Sequence, residues 1–463
     1  MSLEFSTIAL NDIVSLVIDY RGKTPKKLGS DWSESGIRAL SAKNIKTGQI
    51  IREDAIRYVD TELYYKWMKD EIKRNDILIT SEAPFGEVFF WDSDEKIVLS
   101  QRLFGVRCDE NKVDPKFIYF YMTSEMFQWE LQSRATGTTV KGLRQPELLK
   151  CEIRLPNINY QRKISYILSN IEHKITVLKK LNKNLEELMK SIFEEYFVNF
   201  NHSENVSLKS SELGEIPSDW NVKTLGDILT TLESGKRPKG GVSEIDEGVP
   251  SIGAENILGL GKFDYSKNKL ISHEFFNELK KGIIQDQDVL LYKDGAQLGR
   301  KSLFMNGFPF DVCCINEHVF RLRSNNEITQ FYLYLWLDQP IMTNEIINLN
   351  SNSAQPGINQ TDVKSLPILV PTLEVMTNFN NIIFPMMNKI FDNALEINSL
   401  SKLRDTLLPK LMSGEIDVSK INCDLKFNIY FKKFLSKITK LLNFMKKCKI
   451  IKFLFNVFLT LMS

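Results

Sequence analysis

The sequence predicts an α+β protein with two globular units in pseudo-twofold repeat, separated by two long helices that pair as an antiparallel coiled coil. Three observations lead there. Leu10, Asp12 and Ile13 ahead of Arg21-Gly22-Lys23-Thr24-Pro25-Lys26-Lys27 reappear as Leu225, Asp227 and Ile228 ahead of Gly235-Lys236-Arg237-Pro238-Lys239. Gly142-Leu143 and Pro156 recur 215 residues on as Gly357-Ile358 and Pro371. A heptad pattern follows each copy. An internal repeat constrains architecture more than any single motif does, and 463 residues are too many for one comfortable core.

The first unit, residues 1–155, reads as short strands and loops. Asp76-Ile77-Leu78-Ile79-Thr80, Glu87-Val88-Phe89-Phe90-Trp91 and Ile97-Val98-Leu99 are rich in β-branched and aromatic residues and bounded by turn formers. From 156 to 200 the period changes to seven. Ile164, Ile171, Leu178, Leu185 and Ile192 occupy one seam position, and Leu168, Ile175, Asn182, Met189 and Tyr196 the other. At 1.5 Å per residue such a helix spans about 60 Å. Asn182 on the seam either specifies register or faces solvent where the seam is loose.

Residues 201–214, with Asn201-His202-Ser203-Glu204-Asn205, read as a linker. The second unit, 215–371, repeats the strands as Asp288-Val289-Leu290-Leu291-Tyr292 and Ser302-Leu303-Phe304-Met305. Its helix, 372–413, sets Phe379, Ile383, Met386, Ile390, Ile397, Leu400, Leu407 and Leu411 on the seam, with Asn393 and Arg404 interrupting it. Pro385 is expected to kink this helix or delay its start. Residues 421–463 carry nine lysines and one acid, Asp424, for +8, so the remainder sums to −6 in a chain of net charge +2. Lys432, Lys433, Lys437 and Lys440 interleave there with Leu435, Ile438, Leu442 and Met445, which is either a basic amphipathic helix or an extension without function.

Six cysteines with no CxxC pair and only four histidines offer no zinc-site spacing, so no metal is expected. Adjacent Cys313 and Cys314 read as buried strand residues. No basic-then-apolar signal opens the chain, and the apolar run 450–463 is too short to span a bilayer. A cytoplasmic protein without a membrane partner is expected. Gly22-Lys23-Thr24 lacks the earlier glycine of a P-loop, since Val17 stands there. Asn306-Gly307-Phe308-Pro309-Phe310 is only a distant echo of an adenine-methyltransferase motif, and no catalytic residues are assigned.

Glu215-Ile216-Pro217-Ser218-Asp219-Trp220, running into Leu225-Gly226-Asp227-Ile228, resembles the opening of a target-recognition domain in specificity (S) subunits of type I restriction-modification systems. Leu155-Pro156 with Gln161-Arg162-Lys163-Ile164 is similar to the start of that family's first spacer helix, and 193–200 to its end. Leu403-Arg404-Asp405-Thr406-Leu407-Leu408-Pro409-Lys410-Leu411-Met412-Ser413-Gly414 is similar to the end of the second. The resemblance covers residues 5–420. It departs from the family at Tyr160, where an acid is usual, at Pro385, and in the tail.

The resemblance implies a non-catalytic reader of double-stranded DNA, each domain recognising one half of a bipartite target. It implies that the coiled coil sets the gap and docks two modification (methyltransferase) subunits, which carry S-adenosylmethionine, and it leaves open whether restriction subunits join. Two rival readings remain: a self-sufficient DNA methyltransferase or nuclease, and a scaffold that no longer reads DNA.

Candidate DNA contacts lie in matched loops. Arg21, Lys23, Lys26 and Lys27 pair with Lys236, Arg237 and Lys239, where glycines beside cations let backbone approach phosphate. Lys43 and Asn44 pair with Glu255 and Asn256. Asn either bonds adenine in two places or caps a turn, while Lys against Glu favours different partners. Thr138, Thr139 and Lys141 match a polar loop containing Gln355. Arg300 and Lys301 are expected to give the second copy a cationic tip that the first lacks.

Overall fold

The computed structural model describes residues 5–137, 141–201, 207–239, 241, 245–350 and 356–421. The chain forms two compact units. One comprises residues up to Asn170 together with those from Arg404 on, and the other Ile171–Leu403.

In the first unit, strands Val14–Asp19, Leu103–Cys108, Ile77–Ser81 and Phe85–Phe90 form an antiparallel sheet in that spatial order. A second sheet has Ile37–Leu40 at its centre, antiparallel to Arg57–Val59 and parallel to Ile97–Leu99. Ser6–Ala9 pairs with Glu152–Leu155 and closes the domain. Every residue of Ile77–Ser81 is buried, which fits a central strand covered on both faces. On one face lie helices Pro115–Thr123 and Glu125–Ser133, whose Phe117, Tyr121, Phe127 and Leu131 join Leu10, Phe104 and Val106 in the core. Trp67, Tyr64, Leu40, Ile97 and Leu99 build a second core on the other.

The second unit has the same design. Leu229–Ser234, Val319–Ser324, Val289–Tyr292 and Lys301–Leu303 form its antiparallel sheet, and Val249–Ile252 lies between antiparallel Leu270–Ile271 and parallel Cys314–Ile315. Asn221–Thr224 pairs with Pro367–Val370. The repeat thus extends to strand order and to a buried charge. In the first unit Asp76 receives Arg107 at 2.8 and 2.7 Å and the Lys73 N–H at 2.7 Å. In the second, Asp288 receives Arg321 and Arg323 at 2.9 Å each and the Gln285 N–H at 2.7 Å. Each carboxylate is fully paired, which is the condition for keeping a charge out of water.

Helix Ile158–Phe197 begins at Asn157, whose side chain accepts the Tyr160 N–H at 3.0 Å. Helix Leu373–Ser413 runs through Pro385 without a break, so the proline does not delay its start. Pro385 and Asn381 are exposed, which leaves the carbonyl deprived of its amide partner on the wet face.

Within the second unit, the Asn182 amide donates to the Ile390 carbonyl at 3.0 Å, and Asn393 donates to Asn182 Oδ1 at 2.7 Å. Both asparagines are buried. Asn182 therefore does not face solvent, and Asn393 is its partner rather than an interruption. Leu178, Ile192, Ile383 and Ile390 are buried as the seam requires; Ile171, Leu185, Ile397 and Leu400 are half-buried, and Met387 is more deeply placed than Met386. Phe193 and Phe197 meet Tyr332 and Phe379 with ring centroids 4.7–5.9 Å apart. In the first unit, Ile164 and Leu168 pack with Leu411 and Met412, and half-buried Leu407 lies against the same core. Tyr160 donates to the Ile416 carbonyl at 2.8 Å and accepts the Val418 N–H at 3.1 Å.

Part of the expected linker is structured, since Leu208–Ser211 and Gly214–Pro217 pair as a hairpin. Its residues 202–206 lie outside the described residues, as do 422–463 of the tail. Among the described residues no helix is long and apolar enough to cross a membrane.

Candidate nucleic-acid interface

The basic loop of the first unit leaves the sheet at Asp19. Arg21 grips the Asp19 carboxylate with Nε and NH2 at 2.9 Å, donates NH1 to the Leu143 carbonyl at 3.1 Å, and lies 4.0 Å from the Phe104 ring centre. Its donors are thus largely spent on holding the loop. Lys23 donates to the Trp67 carbonyl at 2.8 Å over the Tyr20 ring, and burial, with Lys69 nearby, lowers its pKa. Lys26 and Lys27 are exposed, although Lys27 also donates to the Gly22 carbonyl at 2.8 Å. The loop presents two of its four predicted cations and anchors itself with the other two.

Beside it lies a cleft of about 390 Å³ lined by Lys23, Lys43, Arg52, Arg57 and Arg102, with Trp32 and Trp67. No carboxylate lines it. Arg57 stacks over Trp32 at 5.1 Å, an arrangement that holds a guanidinium without neutralising it. Asn44 organises the floor: its Oδ1 accepts the Ser41 N–H at 3.0 Å and hydroxyl at 2.9 Å, and its amide donates to the Arg52 carbonyl at 3.3 Å. This is the capping reading. Asn44 is buried and its hydrogen bonds are internal, while Lys43 on the same turn is exposed. Arg52 and Arg102 have φ of 52° and 64°, a left-handed backbone that costs a non-glycine residue on the order of 1 kcal/mol. Such strain persists where the neighbouring structure over-determines it. Arg102 Nε also pairs with Glu82 at 3.1 Å.

In the second unit Lys236, Arg237 and Lys239 are all exposed, and Arg237 reaches Glu317 at 3.4 Å. Gly235 admits no side chain, since an added Cβ would lie 1.7 Å from the Ile315 carbonyl oxygen. Asn256 is buried and accepts the Gly253 N–H at 3.1 Å, repeating the cap of the first unit. Glu255 pairs with Lys269 at 2.5 Å; burial raises its pKa, but the Lys269 hydrogen bond, a backbone N–H and the nearby positive charge together hold the carboxyl below its ordinary value. His318 Nδ1 lies 2.6 Å from Asp294 and Nε2 3.4 Å from Glu317.

The expected cationic tip is Arg300 alone. Lys301 is 5% exposed, and its ammonium donates to the Leu337 carbonyl at 2.7 Å and Thr343 Oγ1 at 2.5 Å, with Asp338 at 3.9 Å. The central sheet and helix Gln330–Asp338 enclose it, a contact made across 36 residues that adjacency to Arg300 does not reveal.

The residues that follow the matched polar loops meet the strand ends. Leu143 N–H donates to the Ser81 carbonyl at 3.0 Å, and Ile358 N–H to that of Lys293 at 2.9 Å. Lys141 is exposed on the first loop; Thr138, Thr139 and Gln355 lie outside the described residues. Sequence reasoning passed over Arg52, Arg57, Arg102 and His318. A usable signal was present for the last two, since Ser100-Gln101-Arg102 and Asn316-Glu317-His318 each follow the same parallel strand.

Among the described residues no group of three or more His, Cys, Asp or Glu is disposed to hold a metal ion. Cys108, Cys151 and Cys313 are buried, and desolvation pushes each thiol up to about 12; Cys314, also buried, rises to about 11.

Comparison with known proteins gives a consistent result. A family model described as the type I restriction modification DNA specificity domain matches twice, at residues 3–187 and 217–404. The chain is similar to the type I restriction enzyme MjaIX specificity subunit of Methanocaldococcus jannaschii, 26% identical over 75% of this chain and 79% of that one. It is also similar to the MjaVIII specificity subunit of the same organism, 24% identical over 90% and 94%. In fold it resembles the crystal structure of a type I restriction-modification S subunit from M. genitalium, with a TM-score of 0.55 at 19% identity, covering 89% of this chain and 96% of that one.

Proposed function

Since this chain belongs to the type I restriction-modification DNA specificity family, we propose that residues 1–155 and 215–371 each read one half of a bipartite target on double-stranded DNA. The chain is a specificity subunit and not itself an enzyme. In this reading helices 156–200 and 372–413 form an antiparallel coiled coil that sets the spacer between half-sites. The same helices dock two modification subunits, which bring S-adenosylmethionine, in the cytoplasm.

The observation that carries the reading is the doubled domain. Each copy brings a cation-bearing loop, a capped turn and the residue that follows the polar loop, Leu143 or Ile358, to one end of its four-stranded sheet. Two unlike copies of one reader suit a split, asymmetric site. Phosphate contacts from the exposed lysines would position the domains, and side chains at the turns would specify sequence. The helix length also suits a spacer, because 40 residues reach about 60 Å and one turn of DNA rises about 34 Å.

A methylome comparison tests this directly. Deleting the gene while keeping the modification subunit should erase methylation at one bipartite motif in the host genome. Methylation that persists unchanged at every motif would exclude the reading. A scaffold that no longer reads DNA would assemble with the modification subunit but show no salt-dependent affinity for DNA, whereas a reader loses affinity steeply as salt rises.

A further inference from the structure

Backbone hydrogen bonds put the two copies in register more securely than the sequence does. Ser100 N–H donates to Leu40 at 2.8 Å as Asn316 N–H donates to Ile252 at 2.9 Å. Ser81 N–H donates to Arg102 at 2.9 Å as Lys293 N–H donates to His318 at 3.2 Å. Together with the Asn44 and Asn256 caps, these equate Lys43 with Glu255, Gln101 with Glu317, Arg102 with His318 and Glu82 with Asp294. The backbone is shared and the chemistry is opposed. Lys43 and Arg102 outnumber Glu82 in the first unit; in the second, Glu255, Glu317 and Asp294 outnumber the cation that Lys293 adds at the place of Ser81.

Cations at a DNA-facing turn have two uses, phosphate and base edge. Carboxylates have one. Beside a polyanion they are repelled unless they accept a hydrogen bond, and the donors that DNA offers in the major groove are the amino groups of cytosine and adenine. Glu255 and Glu317 are held in place by Lys269 and Arg237, and Glu317 Oε2, buried without a hydrogen-bond donor, is an acceptor that the protein itself leaves unused. In the first unit Arg102 stands on a strained left-handed backbone at the rim of a cleft with no carboxylate in its lining. An arginine fixed in that way suits the paired N7 and O6 acceptors of guanine better than a mobile phosphate contact.

Resting on the reading of the chain as a two-domain DNA specificity subunit, we propose that these matched positions tell the half-sites apart. Lys43 and Arg102 read an acceptor-rich, guanine-bearing edge in one half-site. Glu255 and Glu317 read an amino-bearing edge, cytosine or adenine, in the other.

The test uses the full chain assembled with its modification subunits and a pool of DNA duplexes randomised across both half-sites. Arg102→Lys keeps the charge and removes the two-pronged geometry, so it should weaken the preference for guanine at one position about tenfold. The other half-site should be selected as before. Glu255→Gln with Glu317→Gln should relax a cytosine or adenine position in that other half-site and leave the first untouched. The undisturbed half-site in each variant shows that the chain has folded and assembled.

Variants that select the wild-type motif in both halves, with only a uniform loss of affinity, would overturn the inference and reduce these residues to backbone contacts. Both variants altering the same half-site would overturn it as well. If the wild-type chain itself selects no bipartite motif, the underlying reading fails, an outcome distinct from the other two.

Discussion

Lys301 shows how much a single residue's role depends on the surrounding fold. Burial presses its ammonium down to about 8 from an ordinary 10.5; Asp338 opposes the shift and Lys190 adds to it. In the unfolded chain the group titrates near 10.4. Between these values the unfolded state binds more protons, so this lysine makes stability rise with pH from about 8 to 10.5, and its penalty is complete below 8. The size is roughly 3 kcal/mol by the linkage relation. Lys301→Met removes that slope. Chemical denaturation of both proteins across pH 8 to 10.5 should show wild type gaining on the variant by that order, and parallel pH profiles would refute the assignment. The substitution also strips a donor from the Leu337 carbonyl and Thr343, so only the slope is diagnostic.

At the scale of elements, the two long helices were the most legible feature of the sequence, because a heptad period is local and survives without tertiary information. The strand order was not legible as such, but the repeat made it the same in both copies, so one domain's topology fixes the other's. The capped turns were ambiguous because an asparagine that caps and one that reads adenine are the same letter; only the fold shows that both are buried and cap their turns. The cleft was invisible because Lys23, Arg52 and Arg102 are brought together by strand pairing across 79 residues of sequence. Within the seam, Asn393 looked like a break only because its partner, Asn182, lies 211 residues away. Asn182→Ala leaves the Ile390 carbonyl and the Asn393 amide without that partner and should cost about 1–3 kcal/mol. Replacing both asparagines with leucine removes the need for pairing and should recover most of that loss. Thermal unfolding of the single and double variants checks this. A single variant as stable as the parent, or a double variant worse than the single, would show that the pair does not hold the helices as described.

For the whole molecule, the proposed function treats the helices as a ruler, and a ruler can be lengthened. Seven residues inserted at facing points of both helices keep the apolar seam in phase, since the seam repeats every seven, and add about 10 Å at 1.5 Å per residue. Along B-DNA that is about three base pairs, at 3.4 Å each. The variant should therefore methylate a motif with the same two half-sites and a spacer longer by about three base pairs. Those three pairs also turn the helix by almost a third of a turn, so the second reader meets a rotated groove and affinity should fall even where the new spacer is chosen. Inserting the seven residues into one helix alone shifts the Asn182 and Asn393 amides out of register and should abolish assembly instead of changing the motif. Sequencing of methylated sites in cells carrying each variant separates the outcomes. A lengthened pair of helices that leaves the spacer unchanged would mean that another part of the complex sets the distance.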